Sequence, residues 1–201
     1  MKFVELLESK WGAFEQSGHA LVNGNMPFVS DVARLNMLFP TENADFIAEF
    51  VRDKYQFELP DQLLEFYQKY NGCRLFFGSL NVFGIQTYPS EVYQPYDLFV
   101  ENDHILGNMK RHSKEICEMV FVASIGGDYA FGVDKAHPEQ IFGIKKGATS
   151  SPVQVFSDFN SFFDFHFGRL LDEYGIDCRK IHPSKQFIGI PALENLSTEI
   201  Q

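Results

Sequence analysis

The chain has 201 residues, a net charge of −10 and 45% hydrophobic residues, which suits one well-packed domain. This composition excludes a disordered chain, because the apolar residues bury enough surface to offset the entropy lost on folding. The acidic excess disfavours nucleic acid and anionic membranes as partners and favours a basic protein. Aromatic residues are abundant, with 22 Phe, so we expect some of them at a surface or interface.

Cysteine usage and the absence of targeting patterns indicate the compartment. The three cysteines (Cys73, Cys117 and Cys178) are too few and too widely spaced for a disulfide framework, and they fit a reducing cytosol. No run approaches the roughly 18 consecutive apolar residues that cross a bilayer. The N-terminal stretch carries acidic residues within its apolar part, unlike a signal peptide. We therefore expect a cytoplasmic protein that contacts no membrane.

Apolar residues spaced three and four apart predict three helices before the first strand: residues 2–16, about Glu42 to Tyr55, and a helix that starts at Pro60. Gly18 is expected to end the first helix, and Asn71-Gly72 the third, because these residue types tolerate a left-handed backbone. Residues 18–40 are expected to be irregular, with a short helical or extended piece at Asp31–Phe39.

Six short segments rich in β-branched or aromatic residues, each bounded by Gly, Asp or Pro, predict strands. They are Arg74–Phe77, Leu80–Ile85, Met119–Ser124, Tyr129–Asp134, Ile141–Lys145 and Val153–Phe156. Gly78-Ser79 suits a two-residue hairpin turn between the first two strands. A helix is expected at about Asp97–Met109. The close spacing of the other strands favours an antiparallel meander over crossover units.

The last predicted helix, about Asp158–Tyr174, carries a long apolar face that must dock on something large, most simply the sheet. Helices followed by strands and then a helix predict an α+β fold. We expect a single bent antiparallel β-sheet of about six strands, with N-terminal helices and a C-terminal helix packed on it. The predicted domain covers residues 1–175, and residues 176–201 form a tail.

No pattern of catalytic or metal-binding residues stands out. The histidines form no HExxH pair, and the spacing of His104, His112 and Cys117 suits no common metal site. A GxSxG nucleophile motif is absent, Cys73 fits a buried strand position, and His166 fits a hydrogen-bonded core position. We predict no catalytic residue, no cofactor and no metal; a hydrolase that uses Asp128 or His104 remains an alternative.

The segment Leu75–Met109 contains no Lys or Arg, and its acidic residues alternate with tyrosines. Such a mixture suits a protein-binding surface, because charge steers a basic partner and rigid aromatic rings anchor it. A solvated helix face whose aromatic residues pack inward is the alternative. The Gly126-Gly127 hairpin turn adds further candidates. The predicted partner contacts are Tyr93, Tyr96, Asp97, Glu101, Asp103, Asp128 and Tyr129.

Four segments together resemble the SUKH superfamily. Leu59–Gly72 (LPDQLLEFYQKYNG) resembles its Leu-Pro helix, which ends in Asn-Gly before the first strand. Phe121–Tyr129 resembles its strand–Gly-Asp–strand element, and Val133-Asp134 resembles the end of the next strand. Val153–Phe163 resembles the closing strand and the helix with a Ser/Asp-Phe-x-x-Phe motif. The resemblance covers roughly residues 42–172 as the domain core and leaves residues 1–41 as an N-terminal helical extension.

The superfamily includes a yeast cell-wall (glucan) synthesis regulator and many bacterial toxin-immunity proteins. The resemblance therefore implies an α+β protein without a shared catalytic motif. It implies an immunity protein of bacterial competition, which neutralises a cognate polymorphic toxin by occlusion. The toxin would be a basic nuclease or deaminase domain. The alternative is a regulatory protein-binding scaffold of the cell-wall-synthesis-regulator type. The surplus of Phe leaves room for a homodimer face.

Overall fold

The computed structural model describes residues 3–17, 20–23, 34–36, 40–76, 78–85, 97–109, 119–145, 152–176 and 181. Within these residues the chain forms five helices: α1 (Phe3–Trp11), α2 (Pro40–Tyr55), α3 (Asp61–Lys69), α4 (Leu98–Met109) and α5 (Phe159–Glu173). The same residues form nine strands: β1 (Phe14–Ser17), β2 (Ala20–Asn23), β3 (Arg34–Asn36), β4 (Cys73–Leu75), β5 (Leu80–Val82), β6 (Met119–Ile125), β7 (Tyr129–Asp134), β8 (Ile141–Lys145) and β9 (Gln154–Phe156).

The strands lie in one open sheet, in which the spatial order follows the chain order from β1 to β9. Every neighbouring pair is antiparallel, as expected where each strand returns beside the one before it. This arrangement confirms the predicted α+β class with an antiparallel meander. The six predicted strands correspond to β4–β9, and the predicted helix before Met119 is α4.

The N-terminal segment differs from the prediction of one helix over residues 2–16. Helix α1 ends at Trp11 because Gly12 adopts a φ of 90°, a conformation that ends helices and that glycine reaches without steric cost. The chain then enters β1. Strands β2 and β3 lie within the segment that was expected to be irregular, and β3 pairs with β4 through Leu35 and Cys73.

Helix α5 supplies much of the core, because its predicted apolar face is buried. The Phe162 ring lies 4.8 Å from that of Phe131 on β7, which docks the helix on the sheet. On its other side, α5 contacts α1 and α3; for example, the rings of Phe163 and Phe3 are 4.8 Å apart. Aromatic pairs of this kind contribute roughly 0.5–1.5 kcal/mol each beyond simple burial. Twelve of the phenylalanines in the described residues are buried, so the surplus of Phe serves mainly the core.

Helix α1 packs into this same core, although it precedes the residues that resemble the SUKH core. Phe3, Leu7 and Trp11 are each at most 4% exposed. The Lys10 ammonium group donates hydrogen bonds to the carbonyl oxygens of Leu171 and Tyr174 at the C-terminal end of α5. These carbonyls have no partner within the helix, and a cation there also interacts favourably with the helix dipole.

Two buried asparagine side chains complete the sheet where strands separate. Asn102 of α4 donates to the Phe121 carbonyl oxygen at 2.7 Å and accepts from the Phe121 amide at 2.7 Å. Phe121 borders the β-bulge of β6, next to the point where β5 diverges from that strand. The amide of Asn102 therefore replaces a neighbouring strand and fixes α4 against β6.

Asn71 does the same at the end of β5. Its side chain donates to the Ile85 carbonyl oxygen at 2.6 Å and accepts from the Ile85 amide at 2.7 Å. The backbones of Gly72 and Gly84 come very close here: a Cβ atom on Gly84 would lie 2.2 Å from the Asn71 carbonyl oxygen. Helix α3 ends at Lys69 with Tyr70 in an extended conformation, so the Asn71-Gly72 pair follows the helix end that it was predicted to form and instead links α3 to β4.

Candidate functional site

The structure places the predicted partner residues on two separate surfaces. Asp97, Glu101 and Asp103 lie at or on α4, whereas Asp128 and Tyr129 lie at the turn between β6 and β7. Tyr93 and Tyr96 fall outside the described residues. Helix α4 is hydrogen-bonded to the first half of β6, whereas the turn between β6 and β7 follows the C-terminal end of β6. The acidic residues of α4 and the residues of the turn therefore occupy different parts of the sheet.

Asp97 has a clear role within the fold. Its Oδ1 atom accepts hydrogen bonds from the amides of Phe99 and Val100, both at 3.0 Å, so it caps the N-terminus of α4. Its backbone also bridges to Gly84, and the Leu98 amide donates to the Gly84 carbonyl oxygen at 2.6 Å. A contact between Asp97 and a partner remains a prediction, and a substitution there by a residue without a capping oxygen, such as Ala or Lys, also removes the helix cap.

Asp103 belongs to a mixed aromatic and charged surface formed by α2 and α4, which we call the α2–α4 patch. Its residues are Phe46, Phe50, Lys54, Phe99, Val100, Glu101 and Asp103. The Lys54 ammonium group donates to Asp103 at 2.9 Å and lies 5.7 Å from the Phe50 ring centroid. Burial lowers the pKa of Lys54, but the hydrogen bond to Asp103 and nearby charges outweigh this effect and raise the pKa.

The apolar part of the α2–α4 patch reaches the surface. Phe46 is 50% exposed and Val100 is 51% exposed. The rings of Phe46, Phe50 and Phe99 form a continuous row, with centroid separations of 6.2 Å and 3.7 Å. Exposed apolar side chains next to charged ones are typical of a protein-binding surface.

The turn between β6 and β7 is a tight glycine hairpin. Gly126 and Gly127 both have positive φ angles, 58° and 79°, and Asp128 is exposed beside them. The Gly126 amide donates to the Ser79 carbonyl oxygen at 3.3 Å, so this turn packs beside the turn between β4 and β5. Ile125 pairs with Tyr129 across this turn, which confirms the predicted hairpin.

A groove that no sequence pattern predicted lies between α1, α3 and α5 and has a volume of about 470 Å³. Its floor is formed by rings from all three helices, Phe3, Phe66 and Phe167. Two residues with carboxylates line it, Glu65 on α3 and Asp164 on α5. Lys69 also lines it, and at one end the Asn160 amide donates to Gln62 at 3.2 Å.

Among the described residues, the candidate nucleophile and the candidate metal ligands are poorly suited to catalysis or metal binding. Burial raises the pKa of the Cys73 thiol to about 12, so this group is not a nucleophile near neutral pH. In the described part of the chain, no group of three or more His, Cys, Asp or Glu side chains could hold a metal ion. None of the helices that the structure describes has the length and apolar character of a membrane-spanning segment.

His166 is a buried core residue, and the core position predicted for it is confirmed as regards burial. It is 1% exposed and lies among aromatic rings, including Phe131 at 5.2 Å and Phe162 at 5.1 Å. Burial, and to a lesser extent the charge of Arg169, lowers its pKa to about 3. Its imidazole therefore stays neutral across the physiological pH range.

The low pKa of His166 predicts that acid destabilises the protein. An unfolded histidine has a pKa of about 6.5, so the unfolded state binds an extra proton between about pH 6.5 and pH 3. His166 should therefore contribute a loss of about 1.4 kcal/mol of unfolding free energy per pH unit over this range. Urea unfolding of His166→Phe at pH 7, 6, 5 and 4 should give a shallower decline than the parent chain. Parallel curves would contradict the assignment.

The comparison with known families agrees with this architecture. The family model described as SMI1 / KNR4 family (SUKH-1) matches residues 43–165, which run from α2 into α5. Among curated proteins, none matches this chain in sequence. The match extends over more than half of the residues and includes the α2–α4 patch and both asparagine-completed strand ends. The chain therefore belongs to the SMI1 / KNR4 (SUKH-1) family.

Proposed function

We propose that this protein is an immunity protein that binds a cognate bacterial polymorphic toxin and neutralises it by occlusion. Membership of the SUKH-1 family carries the proposal, because immunity proteins and regulatory scaffolds are the activities associated with this superfamily. The buried Cys73 and His166 and the exposed acidic surface are consistent with binding rather than catalysis. We place the protein in the cytoplasm, where such a toxin would act.

Electrostatics favours a basic toxin, such as a nuclease or deaminase domain. Enzymes that act on nucleic acid carry positive charge to bind phosphates. A chain of net charge −10 attracts such a partner over distances of about one Debye length, which raises the association rate. Tight binding then requires desolvated aromatic contacts, which charge alone does not supply.

The α2–α4 patch is our proposed contact surface. It combines exposed Phe46 and Val100 with Glu101 and Asp103, as a surface for a basic partner with an apolar centre requires. Tyr93 and Tyr96 precede α4 by a few residues and are proposed to extend this surface. Asp128 and Tyr129 form a second, separate candidate contact.

Co-expression with the product of the neighbouring upstream gene is the primary test. If that product is the toxin, cells should survive only in the presence of this protein, and the two proteins should co-purify. A neighbour that is harmless, or that kills cells regardless, would remove the main support for immunity. The regulatory scaffold, which would bind several cellular proteins weakly, would then be favoured.

Charge reversal locates the contact surface. Glu101→Lys with Asp103→Lys should slow association with the toxin at least about tenfold at low salt, and the difference should shrink near 0.5 M salt. Stopped-flow or surface-based kinetics across salt concentrations measures this effect. Glu139→Lys with Asp172→Lys is the matched control, because it also reverses two exposed charges, both of them outside the patch. An equal loss in the control would show that only total charge matters.

A further inference from the structure

The edge of the sheet at β9 has no neighbouring strand among the described residues. Strand β9 pairs with β8 on one side only, so about half of its backbone amide and carbonyl groups point away from the sheet. Such an edge can pair with another strand, and many proteins prevent this with a charged side chain. This edge lacks that protection, because residues 147–157 include no Asp, Glu, Lys or Arg. Pro152 precedes β9 and so removes no hydrogen-bond donor from it.

Apolar side chains flank this edge on both faces of the sheet. On the face covered by α5, Phe165 is 49% exposed, and its ring centroid lies 5.7 Å from that of Phe156 on β9. Val155 precedes Phe156 and therefore points to the opposite face, where it and its cross-strand partner Phe142 are half-buried. A strand added beside β9 would gain backbone hydrogen bonds and cover apolar side chains on both faces.

Charge favours a second copy of this chain as the source of the added strand. Two chains of net charge −10 repel each other, so a contact between copies is most stable where acidic residues are absent. The β9 edge meets this condition, whereas the α2–α4 patch carries Glu101 and Asp103, and the opposite edge strand β1 carries Glu15. A basic toxin would gain no electrostatic attraction from an uncharged edge. Antiparallel pairing of β9 with itself also satisfies two-fold symmetry, because both copies present the same strand.

We propose that this protein forms a homodimer in which the β9 edges of two copies pair antiparallel. The pairing joins two open sheets into one continuous antiparallel sheet, and Phe165 of each copy packs against the added strand. The proposal does not depend on the immunity function, because it involves neither a toxin nor a residue of the α2–α4 patch. Such a dimer carries two copies of that patch.

Analytical ultracentrifugation of the full-length protein tests the proposal. Between about 5 and about 500 µM, the protein should show a monomer–dimer equilibrium, because self-association follows mass action. Raising the salt from about 0.05 M to about 0.5 M should strengthen the dimer severalfold, because salt screens the repulsion between two acidic chains. A monomer at every concentration, or a dimer that salt weakens, would overturn the proposal.

Lysine substitutions locate the dimer interface. Phe165→Lys should raise the dissociation constant of the dimer at least about tenfold, because it places a charge beside the paired edges. Leu6→Lys is the matched control, since Leu6 is 47% exposed on α1, and it should leave the dimer intact. Val155→Lys should act like Phe165→Lys, with the half-buried Leu64→Lys on α3 as its control. A dimer that is lost in the controls, or retained in both β9-edge variants, would contradict a β9 interface.

Circular dichroism melting shows whether each variant folds. Because Phe165 is half exposed on a helix, Phe165→Lys keeps the test valid even if Val155→Lys unfolds. Amide hydrogen exchange then identifies what covers the edge: protection of the β9 amides should rise with protein concentration. If these amides are protected equally at low and high concentration, another part of the same chain covers β9, and the homodimer proposal is wrong.

Discussion

Replacing Asn102 by Leu is expected to lower the free energy of unfolding by about 3 kcal/mol. Leucine has a similar volume but cannot bond the Phe121 amide and carbonyl, which Asn102 contacts at 2.7 Å each. Both backbone groups lie next to the bulge of a fully buried strand, where water cannot replace the lost partner. Urea unfolding followed by circular dichroism measures this change.

A matched substitution on the same helix isolates the cause. His104 is exposed on α4, so His104→Leu introduces the same residue without removing a buried partner and should stay within about 0.5 kcal/mol of the parent chain. If Asn102→Leu were as mild as His104→Leu, Asn102 would not be what holds α4 against β6. Because α4 carries Glu101 and Asp103, a loosened α4 should also weaken binding at the proposed contact surface.

The sheet from β4 to β9 and helices α2 to α5 could be predicted, because their signals are local. Alternation and short turns mark the strands, and the Phe face of α5 repeats at helical spacing over four turns. The N-terminal strands gave no such signal. Phe14 fits the helical spacing of α1, yet Gly12 has already ended that helix with a φ of 90°. The β3 pairing with Cys73 joins residues almost forty positions apart, which no local pattern records.

The candidate sites also differ in whether local sequence patterns could predict them. Asp97 was predicted as a partner contact because it lies in an acidic segment. Its position just before a helix is equally typical of an N-cap, which is the role it has in the structure. The α2–α4 patch could be recognised only from the fold, because Lys54 and Asp103 come into contact only when α2 lies beside α4. The groove could also be recognised only from the fold, because Phe3, Phe66 and Phe167 lie on three helices that are far apart in the sequence.

Gly84, which packs against Asn71 at the junction of α3 and β4, should tolerate no side chain at all. We expect Gly84→Ala to cost about 3 kcal/mol or more, because its Cβ would lie 2.2 Å from the Asn71 carbonyl oxygen and 2.7 Å from Asn71 Oδ1. Relief requires the backbone of Asn71 to move. That movement breaks the two hydrogen bonds between Asn71 and Ile85. The substitution therefore combines overpacking with unpaired buried polar groups.

Alanine substitutions at two other glycines distinguish the steric effect of this close approach from the other effects of replacing glycine by alanine on stability. Gly126→Ala meets no atom within 4 Å but adopts a φ of 58°, so it should cost about 1–2 kcal/mol from backbone strain alone. Gly168→Ala has neither problem and should stabilise α5 by about 0.5–1 kcal/mol. Thermal and urea unfolding of the three variants should rank them in that order, with Gly84→Ala lowest. If Gly84→Ala is insoluble while the other two variants are soluble, the ranking is the same. If Gly84→Ala is as stable as Gly126→Ala, the backbone at Asn71-Gly72 can move to accommodate a methyl group, and the expectation is wrong.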